Sequence, residues 1–330
     1  MNTISAPAAP SAMSAADYLG PITTDLEEVE RLLQRSLHNR HPRVAEVVDH
    51  IRHYRGKRLR PMLLLLSARA CGRVAGAHIT LSAVVEMIHT ATLVHDDVLD
   101  GAQLRRRVAT VNSLWGTKTS VLLGDYLFTH AFHLASSVDA RACREIGSAT
   151  DRVCEGELCQ VLNAGNLELT EAEYFDIIDG KTAELTACCT KLGAIYAGAS
   201  AETVEAMGRY GRWLGQAFQI ADDLLDLLGQ ETLAGKSLGT DLDQGKLTLP
   251  LIHLLRSPLA TRARTLLMSA EAHRRDGLRS LLEEAGSIEY ARDVALNLAS
   301  KAREELKGLP PSPSRSILEA MSERVVHRQA

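Results

Sequence analysis

Apolar residues recur along nearly the whole chain at the three-and-four spacing of a helix face, while alternating β-branched runs bounded by turns are almost absent. That pattern restricts the fold to the all-α class. The spacing predicts helices at about 22–39, 57–71, 79–101, 110–138, 141–163, 170–199, 202–229, 246–256, 259–271, 277–308 and 315–328. Gly72, Gly76, Gly165, Gly235, Gly239 and Pro258 punctuate them, and the GLPPSPSRS stretch links the last one. No fixed-period repeat and no shift of composition divides the chain. One large helical bundle is therefore expected over residues 21–330, after a disordered tail rich in Ala, Ser and Pro at 1–20.

Hydrophobic residues make up 45% of the chain and aromatic residues only 4%, so the core is aliphatic. The net charge of -4 gives no global basic field, which argues against nucleic acid as a partner. The first 20 residues hold no apolar segment, and no Lys or Arg precedes Arg31, unlike a secretory signal or a basic transit peptide. The longest strongly apolar run, from Pro61 to Ala68, is too short to cross a bilayer. None of Cys71, Cys143, Cys154, Cys159, Cys188 and Cys189 forms a CxxC pair or a zinc-like cluster. They read as small buried thiols, reduced in a cytoplasmic protein.

Two segments carry chemistry. LVHDDVLD holds Asp96, Asp97 and Asp100, and QIADDLLD holds Asp222, Asp223 and Asp226. On a helix, positions i, i+1 and i+4 project within a sector of about 100°, so each triplet forms one carboxylate patch. A single triplet would read as a solvated acidic face. Two identical triplets set among Leu, Val, Ile and Ala lie near a core, where clustered carboxylates repel and are poorly solvated. A divalent cation would relieve that repulsion. Oxygen-only ligands point to Mg²⁺, with Mn²⁺ as a substitute, held by few carboxylates plus the phosphates of a ligand.

Basic residues complement these patches. GKRLRP supplies Lys57, Arg58 and Arg60, and Arg105, Arg106 and Arg107 follow soon after Asp100. Lys181 and Thr182 form a KT pair, and Lys236 and Lys246 each follow a glycine. Gln219 shares the face of Asp222 and Asp223, and His89 lies two turns before Asp96. Each cation alone reads as a surface charge. Together they suit a diphosphate.

GKRLRP, HTATLVHDDVLD, GDYLFTHAF, GKTAEL, FQIADDLLD and GKSLGTDLDQGKLTLPLI stand in an order and spacing that resemble the trans-type polyprenyl diphosphate synthases across nearly the whole chain. The resemblance implies a helical bundle around a central cavity, usually as a homodimer, with the two acidic patches facing each other across its mouth. It implies that Asp96, Asp97, Asp100, Asp222, Asp223 and Asp226 bind Mg²⁺ and an allylic diphosphate. Arg105, Lys181, Gln219 and Lys236 match positions touching that diphosphate. Lys57, Arg60, His89 and Arg106 match an isopentenyl diphosphate site. Thr182 matches a residue whose backbone carbonyl steadies a carbocation. The chain departs from the family at Gly101, where another acid is usual, and in RRRVAT, where Arg107 replaces a glycine and Ala109 a proline.

The expected chemistry is ionisation of an allylic C–O bond, attack by the homoallylic double bond, and loss of a proton to pyrophosphate. In the family, residues just before the first triplet set product length. Here these are the small Ala91 and Thr92, with Met87 and Phe132 as candidate floor residues. A C35–C50 product, centred on C40 and destined for quinone side chains, is therefore expected. The alternatives are a short-chain farnesyl or geranylgeranyl diphosphate synthase, a class I terpene cyclase, and a non-catalytic regulatory subunit of a heteromeric synthase. A cyclase would not need the isopentenyl set, and regulatory subunits typically lose an aspartate motif.

Overall fold

A computed structural model describes residues 19–38, 40–54, 56–228, 240–269 and 274–326. The proposed tail, apart from Leu19 and Gly20, lies outside the described residues. After a 3₁₀ turn at Gly20–Ile22, the helices are α1 (Thr23–Ser36), α2 (Pro42–Ile51), α3 (Leu59–Cys71), α4 (Gly76–Leu99), α5 (Val111–Ser136), α6 (Ala140–Leu162) and α7 (Glu171–Ile178). A π-helical turn, Asp179–Ala183, joins α7 to α8 (Glu184–Tyr196). Then come α9 (Ala201–Leu228), the one-turn α10 (Thr240–Asp243), α11 (Leu249–Leu255), α12 (Ala260–Leu267), α13 (Arg274–Glu284), α14 (Ser287–Glu305) and α15 (Pro313–Val326). The only strands among the described residues are β1 (Leu104–Arg105) and β2 (Val108–Ala109), a two-residue hairpin with Leu104 opposite Ala109.

The long helices pack because of what they lack on their faces. In α3, Pro61 to Ala68 are all buried, so the helix has little polar face and sits inside the bundle. It packs on α8, where a Cβ on Gly193 would lie 2.5 Å from the Leu64 carbonyl; only a glycine allows that approach. The most extensive contacts are α4 with α5, α9 with α14, α9 with α8, and α3 with α8. The core is aliphatic, as composition requires. Helix α4 is long and apolar enough to cross a membrane, but it is a core helix, 61% of whose most apolar window is buried.

Besides the hairpin, which the sequence did not lead one to expect, the structure differs from the sequence expectation at five places. Helix α2 was not anticipated, although Pro42 at its start and buried Val48 and Ile51 on one face are ordinary helix signals. The expected 277–308 helix is two helices, broken at Gly286 with φ 64°. The expected 170–199 helix is interrupted by the π turn. Gly116, with φ 79° and ψ 168°, kinks α5 one turn after it starts. The fifth difference concerns the thiols. All six cysteines are free, but only Cys188 and Cys189 are fully buried, while Cys154 and Cys159 are exposed on α6.

Candidate active site

The first triplet ends α4. Asp97 is buried and accepts Arg105 Nε at 2.6 Å on Oδ1, so the β1–β2 hairpin docks on the triplet it follows. Its Oδ2 is buried with no hydrogen-bond partner; the nearby Tyr54 hydroxyl accepts the Val111 amide at 2.9 Å and keeps its own proton to turn towards Asp97. Asp96 has its pKa raised to about 6, by burial first and then by Glu157 and Asp100, against the opposing pull of Lys181. Asp100 is exposed and pairs with Lys246 at 3.2 Å.

The second triplet lies in the last two turns of α9. Asp223 is buried; it accepts the Tyr174 hydroxyl at 2.6 Å and Gln219 Nε2 at 2.8 Å. Burial, and then the neighbouring Asp241 carboxylate, push its pKa up. Burial and Asp223 together raise Tyr174 well above the ordinary phenol value. Asp226 is also buried and accepts the Asp241 amide at 3.1 Å, which ties α10 to α9. Asp222 is half-buried on the same face.

Asp223 of the second patch lines a cleft that two of its lysines link to the first patch. The cleft walls include Gln160, Tyr174, Lys181, Gln219, Asp223, Asp241 and Lys246. Lys246 thus reaches from the Asp223 side of that cleft to Asp100 of the first triplet. Lys181 lines the same cleft and bonds Glu157 at 2.6 Å and Gln160 at 2.7 Å. Burial alone would lower its pKa, but Asp96 and Glu157 outweigh that and raise it. Thr182 donates its hydroxyl to Gln219 at 2.7 Å. Lys236 lies outside the described residues.

A second, basic cluster gathers near the first triplet. Arg60 is half-buried, and its Nε has no hydrogen-bond partner. His89 is held neutral by burial and then by Arg60, Arg106, Arg105 and Arg58, which crowd it with positive charge. Arg106 donates to the Tyr54 carbonyl and lies against Gly56, where any Cβ would overlap its guanidinium. Arg58, in the left-handed conformation at φ 50°, bridges Glu30 at 2.5 Å and buried Glu86 at 2.6 Å. Lys57 is exposed beside them in the chain. Several cations thus meet two carboxylates, and the cluster suits an anion.

The chain-length candidates lie elsewhere. Met87 and Ala91 are fully buried and Thr92 is half-buried, its hydroxyl bonding the His89 carbonyl at 2.8 Å. Phe132 packs partly buried against the same core.

Among the described residues, no three carboxylate, imidazole or thiol groups converge as a preformed metal cage. The donors nonetheless fit Mg²⁺, which takes few protein ligands and completes its shell with water and phosphate oxygens. An orphaned buried carboxylate oxygen on Asp97 and upward-shifted acids at Asp96 and Asp223 are what a divalent cation would relieve. Sequence reasoning missed Asp241, Glu157, Gln160 and Tyr174. The EGELCQ segment, with Glu157 and Gln160 one helical turn apart, was the available signal for two of them.

Residues 41–285 match the family described as polyprenyl synthetase. The octaprenyl diphosphate synthase of Escherichia coli is 38% identical over 278 residues, covering 83% of this chain and 86% of that protein. Two crystal structures superpose closely. A decaprenyl diphosphate synthase from Rhodobacter capsulatus has a TM-score of 0.89 and 37% identity, covering 95% of this chain and 99% of that one. A polyprenyl synthase from Caulobacter crescentus, complexed with calcium and isoprenyl diphosphate, has a TM-score of 0.88 and 36% identity, covering 96% and 98%.

Proposed function

The chain belongs to the polyprenyl synthetase family, and on that premise we propose that it condenses isopentenyl diphosphate with an allylic diphosphate to make a long-chain all-trans polyprenyl diphosphate. It is a prenyltransferase of isoprenoid biosynthesis. The observation that carries the mechanistic reading is a pair of lysines lining the Asp223 cleft: Lys246 bonds Asp100 of the first triplet, and Lys181 is held charged by Asp96.

Asp96, Asp97, Asp100, Asp222, Asp223 and Asp226 would hold Mg²⁺, and the bound ion would neutralise charge on the departing pyrophosphate. Lys181, Arg105 and Lys246 orient the allylic diphosphate and steady its oxygens as the C–O bond ionises. Gln219 fixes Asp223 and receives Thr182, so the three keep one geometry. Lys57, Arg60, His89 and Arg106 bind isopentenyl diphosphate, whose double bond attacks the allylic cation. The proton then leaves to pyrophosphate. The Thr182 carbonyl of the π turn accepts the hydroxyl of Thr186, in the first turn of α8, at 3.1 Å, which fixes its direction for steadying the cation.

We read residues 21–330 as one synthase domain acting in the cytoplasm as a homodimer, its product C40 for a quinone side chain. Exposed Leu114 and Leu122 on α5 and Leu158 and Leu162 on α6 support the dimer, since adjoining helices leave them uncovered in one chain. Small Ala91 and Thr92 before the first triplet support the long product. Incubation with farnesyl diphosphate, isopentenyl diphosphate and Mg²⁺, followed by chromatography, should give C40. A product that stops at C15 or C20 would overturn the long-chain reading, and full activity after chelation would overturn the metal's role.

A further inference from the structure

Lys181 and Thr182 sit on a π turn, in which the Glu184 amide reaches back five residues to the Asp179 carbonyl. Such a turn inserts one residue into a helix and is rare. Here it is held from two sides. On one side Arg212 of α9 spreads its guanidinium across it, with one amino group on the Asp179 carboxylate and the other on Glu184 Oε2 at 2.6 Å. Gln216, one turn along α9, donates to the remaining Asp179 oxygen at 2.9 Å. On the other side Gly180 lies against α6, where its Cβ would fall 2.7 Å from the Arg152 carbonyl and a Cβ on Gly156 would overlap the Lys181 nitrogen.

The spacing matters. On a continuous α-helix, residues five apart point about 140° away from each other, beyond the span of one guanidinium. A turn closed by an i→i+5 bond is wider, so residues five apart come much nearer to one face. The Arg212 fork therefore fits the π register and not the α register. The Asp179 and Glu184 side chains are 16% and 18% exposed, so without Arg212 two largely buried carboxylates would face each other with only the Gln216 amide on Asp179 and the more remote Arg152 charge to offset them.

We propose that Arg212 is a positioning residue: its bidentate clamp on Asp179 and Glu184 holds the π register, and thereby fixes where the Lys181 ammonium and the Thr182 hydroxyl and carbonyl stand. The inference rests on the reading that Lys181 and Thr182 serve the allylic diphosphate. Arg212 itself touches none of the groups assigned to substrate.

The test compares Arg212→Met with Arg209→Met in the full-length protein. Arg209 lies on the same helix and makes an exposed two-point pair with Glu305 at 2.8 Å, so it controls for loss of an ion pair on α9. In Arg212→Met, amide exchange across residues 179–186 should speed up, and kcat should fall about ten- to a hundred-fold. KM for isopentenyl diphosphate should stay within about two-fold, because that basic cluster belongs to α3, α4 and the hairpin. Arg209→Met should leave all three unchanged. Should the methionine variant not fold, Arg212→Lys keeps a cation that cannot span both carboxylates, and the same split is expected from it. Unchanged exchange and kcat in the folded Arg212 variant, or an equal loss in Arg209→Met, would overturn the proposal. A wild-type protein making no prenyl product would instead overturn the functional reading, while the exchange comparison still judges the clamp.

Discussion

Arg106 and Arg107 turn the β1–β2 hairpin with φ of 52° and 67°, a conformation that side chains with a Cβ rarely adopt. Arg106 is compensated: its guanidinium reaches the Tyr54 carbonyl and packs on Gly56. Arg107 is exposed and stands where the family carries glycine, so its backbone keeps the glycine conformation at some strain. Arg107→Gly should therefore raise stability by up to about 1 kcal/mol, read by denaturant unfolding. A destabilised variant would mean that the Arg107 side chain contributes more than its backbone loses. Ala91 offers the second test at this scale. It is fully buried on α4, and Ala91→Phe should shorten the product, as chromatography of the chains would reveal. An unchanged length would place the chain-length floor elsewhere.

Between elements, two contacts decide how the helices meet. His78, buried in the first turn of α4, accepts the Ala75 amide on Nδ1 at 2.9 Å, which leaves Nε2–H to donate to the Gly193 carbonyl of α8 at 3.1 Å. Burial holds its folded pKa below the ordinary value. The unfolded chain thus binds a proton that the folded chain refuses, so this stability is complete above the unfolded value of about 6.5 and is lost as pH falls towards the folded one. His89 is shifted the same way, whereas Asp96 and Asp223, raised by burial, act with the opposite sign over this range, so the test is a difference. Between about pH 7 and pH 5 the melting midpoint of the wild type should fall relative to that of His78→Gln. A slope identical to wild type would remove His78 from the account. The second contact is α6 on the π turn. Gly156→Ala pushes a methyl into backbone that cannot swing aside, and should destabilise by about 1–3 kcal/mol with a fall in prenyl transfer. Wild-type melting would show that the two backbones can separate freely.

At the scale of the whole molecule, several exposed large apolar side chains of the described residues fall on α5 and α6. Leu122 is 67% and Leu162 81% exposed, although α5 packs extensively on α4, and α6 on the π turn. Association through this face would bury them and stiffen the scaffold behind Asp96 and Lys181. Leu122→Arg combined with Leu158→Arg should convert a dimer to a 35.9 kDa monomer in analytical ultracentrifugation. A mass that stays doubled would move the interface, and a wild-type monomer would abolish it.

The helical class, most helix positions and the two acidic triplets were legible in the chain itself, because helix periodicity and the i, i+1, i+4 grouping of carboxylates are local properties that need no partner. The hairpin, the π turn and the break at Gly286 were not, since each follows from positive φ values or from contacts with distant helices. Only the tertiary structure decided that Asp97 keeps a buried oxygen without a partner while Asp223 accepts one hydrogen bond on each oxygen, from Tyr174 and Gln219. It alone brought Asp241, Glu157 and Gln160 to the cleft, and set Arg212 across the turn that presents Lys181. Residues tens of positions apart acquire a shared electrostatic environment only once packing removes the water between them, and spacing along a chain does not encode that distance.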